Sequence, residues 1–509
     1  MAFIVEKKIG KNVYVYSVES VWSKDEKKPK KKYTYVGKKD KTTGTICEKK
    51  PPQKPKSAED FGARYFALQM MKHLKIDKLL AKHFPNDFEQ IVEIVAFQVA
   101  EAKPSYLMHH CFGDETKSKK FCSQNISLLF KNIGLAEDIV QAFQEDWLEM
   151  HKCQAGLFYD ITSFSSYSKQ SEIVEWGYNR DCENLPQINF GILYGTTSKL
   201  PLRYKIYQGS VNDVKTFNNI HREIVAHGMS NFTICFDRGF YSASNLAMVK
   251  KSNYEIIMPM PFSTKEAITL AQEKVSSFDN LVNFDGDTMY CKTFPVTIGR
   301  TKFFASVFQN ERRRINELNS FTHEFMKLEK NIMKSTNDSS ESMQTAISSL
   351  PEKFSECFEF VNEDGKVTVR RNVAEIERAT SRMGKVLLIT KHIPASHEEL
   401  ITNYRARDMV EKSFDIMKNE MNESRLRVAS TESIRGRLFV NFLCLIINTC
   451  ILNKMKDVEL RKRLSIAEVI CEMKKIKLVN LFDGGTCLTE MSKRQREIFE
   501  LYAIPIPQI

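Results

Sequence analysis

With 509 residues the chain is long enough for two to four domains with a sizeable buried core. Its 75 Lys and Arg stand against 63 Asp and Glu, a formal charge of +12, which favours a polyanionic partner without naming one. The twelve cysteines form no C-x-x-C pair and keep no metal-ligand spacing to histidine, which argues against disulfides and structural zinc and for free thiols in a reducing cytoplasm.

The N-terminus, Met1 to Lys8, lacks the apolar core of a signal peptide. Residues 1–50 alternate in strand fashion, as in Val13–Val18 and Tyr33–Gly37, with a lysine-rich turn from Lys24 to Lys32 between them. Such a hairpin could lie on a DNA backbone or serve as a small capping sheet with a solvated loop, and charge alone does not choose. Pro51, Pro52 and Pro55 mark a linker. From Ser57 to about Trp147 the period is helical, with Phe61, Tyr65, Leu68, Met71 and Leu74 on one side and Ile91, Ile94, Val95 and Phe97 in a later helix. The pair His109-His110 reads as packing or surface, because adjacent residues on a helix do not face one ligand together.

Gly156–Asp160 is a short apolar strand ending in a carboxylate; Ile188–Tyr194 and Leu202–Tyr207 are two more strands. A helix from Val214 to His227 precedes a fourth strand, Phe232–Asp237, which also ends in aspartate. A helix near Ser242–Lys251 and a fifth strand, Tyr254–Met258, follow. Two aspartates at the ends of adjacent central strands can meet in space although 77 positions separate them; either one alone reads as a turn residue. Much of Phe278–Val307 alternates like strands, Arg312–Lys334 reads as a charged helix, and Lys334–Ser340 is polar. Val386–Thr390 returns to a strand.

Ser396 with Glu399 three residues later has the spacing of a capping box and starts a helix. On a continuous helix at ~100° per residue, Tyr404, Arg407, Glu411 and Lys418 fall within about 60° of one another, beside an apolar stripe of Val410, Phe414, Met417 and Met421. That face can hold a metal through the carboxylate and grip phosphates with the two cations; it is also what a solvated helix face with i,i+4 pairs looks like. Asp408 and Asp415 lie close to the same face, so helical phase does not single out Glu411. Beyond it, Leu438–Leu452 is the most apolar run; interrupted by Asn441 and Asn448, it falls short of the ~20 residues of a bilayer span and reads as a buried helix of a soluble protein with no membrane partner. The tail from Met455 mixes basic and apolar residues at helical spacing, and dimer contact, DNA contact and packing stay open for it.

Tyr404, Arg407, Glu411 and Lys418, with gaps of two, three and six residues, reproduce the YREK signature, and on these residues the chain resembles a branch of bacterial insertion-sequence cut-and-paste DDE transposases. Tyr159-Asp160-Ile161-Thr162-Ser163 and Phe236-Asp237-Arg238-Gly239-Phe240 resemble the motifs around that branch's first and second catalytic aspartates. Leu185–Gly191 and Gly209–Asp213 resemble further sheet segments. The resemblance implies an α/β fold: a ribonuclease-H-like mixed sheet flanked by helices over 151–265 and 384–455, and a β-rich plus helical insertion over 266–383. The periodicities above add a lysine-rich β segment at 1–50, a helical N-terminal module at 57–150, in the part where the resemblance places DNA binding, and a helical tail at 456–509.

It further implies Asp160, Asp237 and Glu411 as the catalytic residues holding two Mg²⁺ or Mn²⁺ ions, since three convergent carboxylates would otherwise repel. Tyr404, Arg407, Lys418 and Arg238 would contact DNA, and Thr162 would support the first aspartate. The expected activity is metal-dependent cleavage at the ends of a mobile element and strand transfer. Its partners would be double-stranded DNA, as terminal inverted repeats and target, and a second copy of the chain in a synaptic homodimer. A DNA-binding protein on an inactive transposase fold, or a metal nuclease that cuts without joining, are the other readings.

Overall fold

A computed structural model describes residues 3–9, 12–23, 28–39, 46–48, 55–111, 115–227, 231–338, 348–363, 366–420, 425–457, 464–482 and 484–508. The chain divides into two units, one of Met1–Gly62, Met473–Arg496 and Ile506–Ile509, the other of Ala63–Glu472 and Glu497–Pro505. Met421, Lys24, Pro51 and Pro52 lie outside the described residues.

In the first unit the expected alternation makes an antiparallel sheet of β1 (Phe3–Ile9), β2 (Asn12–Ser23), β3 (Lys28–Lys39) and β4 (Ile46–Glu48), in that order. Lys28 to Lys32, expected within a turn, are strand residues: Lys30, Lys31 and Lys32 pair with Val21, Ser20 and Glu19. Alternation sends neighbouring lysines to opposite faces, which separates their charges. β5 (Pro55–Asp60) takes over the start of the expected helical module, and Pro55 sits at its first position, where no ladder donor is lost.

The second unit opens with helices over Ala63–Met150. On the first of them Phe66, Ala67, Met70 and Met71 form the buried face, while Tyr65 and Leu68 are only half-buried, so the stripe is turned from the expected one. Ile91, Ile94, Val95 and Phe97 are buried as expected.

The strands β6 (Gly156–Ser166), β7 (Gln187–Gly195), β8 (Pro201–Gln208), β9 (Thr233–Phe236) and β10 (Glu255–Pro259) follow, and β7 is buried along its whole length. The residues expected to form the insertion give β11 (Asn280–Phe284), β12 (Asp287–Ile298) and β13 (Thr301–Asn310), then helix Glu311–Asp338 and the hairpin β14 (Phe358–Glu363) and β15 (Lys366–Arg371). Next come β16 (Lys385–Thr390) and the two-residue β17 (Arg425–Leu426).

One mixed sheet of ten strands runs β11-β12-β13-β16-β10-β9-β6-β7-β8, with β17 beside β6. β10, β9 and β6 are parallel and the other main-path pairings antiparallel. Through the β13–β16 pairing the first three strands of the expected insertion continue the central sheet. The long helix and the β14–β15 hairpin instead form a small core of their own around Phe325, Ile332, Phe354 and Phe358.

Helices cover both faces. Tyr159 and Ile161 point into a core shared with Phe217, Ile220, Leu246 and Val249 of helices Asp213–Ala226 and Ala243–Lys250. On the other face Phe190 stacks on Tyr204, whose ring lies 4.9 Å from Phe442. Phe442 belongs to helix Thr431–Asp457, which absorbs the Leu438–Leu452 run. By length and composition Thr431–Met455 could cross a membrane, a longer helix than the apolar run suggests, yet 83% of its apolar window is buried inside the fold. It crosses helix Ser123–Leu135 through reciprocal glycines: a Cβ on Gly436 would lie 1.9 Å from the Phe130 carbonyl oxygen, and one on Gly134 1.8 Å from that of Glu432. Gly436→Ala is therefore expected to destabilise by about 2 kcal/mol, overpacking of ~3 less the ~1 that alanine gains in a helix, measured by denaturant unfolding. The final strands, β18 (Lys477–Leu481) and β19 (Thr486–Leu488), belong to the first unit, where β18 pairs with β5.

Candidate active site

Asp160 lies in the middle of β6, not at its end, because β7 pairs with β6 as far as Ser165. On its other side β9 pairs only through Phe236, opposite Tyr159, and the chain leaves the sheet at Asp237. β17 takes the vacated place opposite Ser165 and Ser166. Between β9 and β17 the edge of β6 is bare of strand partners, and Asp160 and Asp237 stand side by side at the start of that gap, in continuing register and so on one face. This is the sheet face covered by helix Asp408–Asp415 and, further along, by Thr431–Asp457.

The helix expected over Tyr404–Lys418 is broken twice. Ser396 caps it as expected, accepting a hydrogen bond from the Glu399 N–H at 3.2 Å. The first segment, His397–Arg405, then gives way to tight i→i+3 turns through Ala406 and Arg407 before Asp408–Asp415 resumes. Ile416–Glu420 is a π-turn. Val410, Phe414 and Met417 are buried, so the apolar stripe seats the helix on the core.

Arg407 sits at the first break. Its guanidinium makes an ion pair with Asp237 on one side and donates to Glu411 at 2.6 Å on the other. It also lies 5.9 Å from the Tyr404 ring centroid. Burial opposes its charge, but Asp237, Asp160 and Glu411 outweigh that, and its pKa rises above the ordinary value. Of the three acids on the helix, Arg407 thus selects Glu411. Asp408 pairs with Lys412 instead, and Asp415 is exposed.

Asp160 is the perturbed group. Burial first, and the Asp237 charge second, push its carboxyl up from 3.8 to about 7, although the Ile161 N–H donates to it at 2.8 Å and Arg407 and Arg180 favour its ionised form. The folded state therefore holds this proton over a range in which the unfolded chain has lost it. The associated stability is present below about pH 4 and is lost as pH rises through about 7, on the order of 2–4 kcal/mol for a ~3-unit shift. Unfolding free energies of the metal-free protein at pH 5 and pH 8 should show that decline, and Asp160→Asn should flatten it.

The other sequence-predicted residues are more dispersed. The π-turn carries Lys418 to Asp181, in the loop between β6 and β7, with contacts of 2.7 and 2.8 Å. Thr162 is buried on β6, two residues along the same face as Asp160. Arg238 is exposed and lines a separate groove of about 840 Å³ with residues of helix Glu311–Asp338, among them Arg313 and Phe321. Tyr404, Arg407 and Glu411 line a cleft of about 440 Å³ that the β11–β12 turn also borders through Asp285 and Asp287.

Sequence reasoning missed Arg180. It makes an ion pair with Asp213, donates to Ser163 at 3.0 Å and acts on Asp160. No periodicity marks it in its loop, though its partner Asp213 closes the Gly209–Asp213 segment already singled out.

Among the described residues no three His, Cys, Asp or Glu side chains are grouped closely enough to hold a metal ion. The guanidinium of Arg407 stands between Asp237 and Glu411 as the cation they share. The donor chemistry itself, three carboxylates, suits a hard divalent ion such as Mg²⁺ or Mn²⁺.

No curated protein matches the sequence. A cryo-EM structure of a piggyBac transposase synaptic complex with hairpin DNA is 10% identical, with 81% of this chain and 70% of that chain covered at a TM-score of 0.35. The family model of the transposase DDE domain matches residues 151–447, more than half of the chain. The chain belongs to the transposase DDE domain family.

Proposed function

We propose that the chain is a cut-and-paste transposase of the YREK branch, with a ribonuclease-H-like core, that cleaves DNA at the ends of a bacterial insertion sequence and joins those ends to a target. The observation that carries this reading is Arg407 tied at once to Asp237 and Glu411, with Asp160 beside Asp237 and pushed towards neutrality. Asp237 and Glu411, far apart in the chain, share one cation here beside Asp160, and this gathering of acids supports the reading of a phosphoryl-transfer site.

Asp160, Asp237 and Glu411 are the residues that would hold divalent ions. Such ions supply, when bound, an activated water or 3′-hydroxyl and stabilisation of the leaving oxygen. Arg407, relieved of its carboxylates, would turn its fork to a phosphate, and Lys418 would do the same on leaving Asp181. Tyr404 would meet the backbone or an unstacked base, Arg238 a phosphate further along the strand, and Thr162 would fix the orientation of Asp160. Water as nucleophile gives nicking and a freed 3′-hydroxyl gives joining, with no covalent enzyme intermediate.

The DNA partners on this reading are the terminal inverted repeats and a target duplex, engaged by a synaptic homodimer. A reducing cytoplasm suits its free cysteines. Incubation with Mg²⁺ and labelled DNA carrying the inverted repeats that flank its gene tests the proposal. Cutting followed by joining is expected. Binding alone would mark an inactive fold, and cutting alone a nuclease; either overturns it.

A further inference from the structure

The sheet of the first unit carries a surface that strand cleavage does not use. Directly paired residues of an antiparallel ladder share a face. The pairings Lys7 with Tyr14, Val5 with Tyr16, Phe3 with Val18, Tyr16 with Tyr35, Val18 with Tyr33, Ser20 with Lys31 and Trp22 with Pro29 put six rings on one side: Phe3, Tyr14, Tyr16, Trp22, Tyr33 and Tyr35. Phe3, Trp22 and Tyr33 are 50%, 63% and 46% exposed, although each is large enough to gain by burial.

Among the described residues, acidic side chains are confined to one side of the same sheet, while lysines stand on both. Strands β1 to β4 hold eight lysines and three glutamates. Glu6 and Glu19 fall on the opposite side, where Glu6 pairs with Val15 and Glu19 with Lys32, and Glu6 is neutralised there by Lys39 at 2.7 Å. Among the described residues the ringed face bears no carboxylate, and it keeps Lys7, Lys31 and, opposite Tyr14, Lys38. The Lys7 ammonium lies 4.2 Å from the Tyr33 ring centroid and 5.5 Å from that of Tyr16, and Lys31 lies 5.9 Å from that of Phe3. Cations thus stand within reach of the phosphate attached to any base that stacks on those rings.

We propose that this face binds single-stranded DNA, its rings stacking on unpaired bases and its lysines meeting the intervening phosphates. Flat rings interleaved with cations on an open surface suit unpaired bases, which offer π-faces whatever their sequence. A duplex hides those faces. Four strands at ~4.8 Å spacing are about 14 Å across before side chains are added, too broad for a major groove about 12 Å wide that admits a two-stranded ribbon. The inference is independent of the cleavage chemistry and is tested apart from it.

The full chain is titrated, in EDTA so that no strand is cut, with fluorescein-labelled dT12 and with a 12-base-pair duplex, and binding is followed by anisotropy. Tyr33→Val and Trp22→Val, which keep strand propensity, should each weaken dT12 binding about tenfold and leave duplex binding within about twofold. Tyr33→Phe, which keeps the ring, should bind dT12 as the parent does. Lys31→Gln should lower the salt slope by about 0.7. In a Trp176→Phe background dT12 should quench the fluorescence of Trp22. Valine variants that bind dT12 unchanged, equal losses for duplex and single strand, or an unquenched Trp22 would each overturn the proposal.

Discussion

Asp160→Asn, Asp237→Asn and Glu411→Gln should each abolish DNA strand cleavage, by on the order of 10³-fold or more, while the protein still binds the element's ends within about twofold. Loss of one group that stabilises developing charge already costs about 10²–10³ in rate, and these substitutions also remove a donor on which an activated nucleophile depends. Each amide keeps the shape of the acid and removes only its charge, so the fold should survive. Glu411 is half exposed and Arg407 keeps its pair with Asp237, so the amide should destabilise by no more than about 1 kcal/mol. Asp160→Asn should stabilise the metal-free protein above pH 7, because it removes a buried charge that Asp237 repels. The control is Asp408→Asn: that acid lines the same cleft but pairs with Lys412 rather than with Arg407, and its loss should leave cleavage intact. Gel assays of nicking and mobility shifts of end DNA measure both halves, and a variant that nicks at the parental rate removes its residue from the site.

Arg407→Gln should have the second largest effect, and of a different kind. In this structure the guanidinium is the cation that Asp237 and Glu411 share, and it is well buried while they are 39% and 50% exposed. Breaking a buried pair costs about 3–5 kcal/mol, and the exposure of both partners lowers the expectation to about 2 kcal/mol. The variant should then gain more stability from added Mg²⁺ than the parent does, because no guanidinium competes for the carboxylates. Cleavage should nevertheless fall about 10²-fold, since the fork that would grip a phosphate is gone. Thermal melts across a Mg²⁺ titration separate these effects. Equal metal-induced shifts in parent and variant would show that Arg407 does not stand in for the metal.

Much of this was legible in the sequence, for reasons that differ by element. The central strands announce themselves by apolar runs between turn residues, and Ser242 and Ser396 cap helices where local chemistry puts them. What escaped depends on partners distant in the chain. The length of β6 beyond Asp160 is set by β7 and β17, not by its own residues. β5 finds β18 across more than 400 positions, a pairing that no local period encodes. Periodicity assumes uniform turns and so makes the helix bearing Glu411 continuous, whereas the tight turn at Arg407 and the π-turn at Ile416 rotate Lys418 to Asp181. Phase alone could not separate Glu411 from Asp408 and Asp415, whereas the spatial position of Arg407 does.

The central claim is that Asp160, Asp237 and Glu411 serve one metal site, and it is tested most directly by Fe²⁺ in place of Mg²⁺. With ascorbate and peroxide, bound iron cuts the polypeptide beside its ligands. The account predicts three cuts, near residues 160, 237 and 411, that fade together as Mg²⁺ is added in competition. Cuts at only one of these places, or cuts that Mg²⁺ does not suppress, would contradict it.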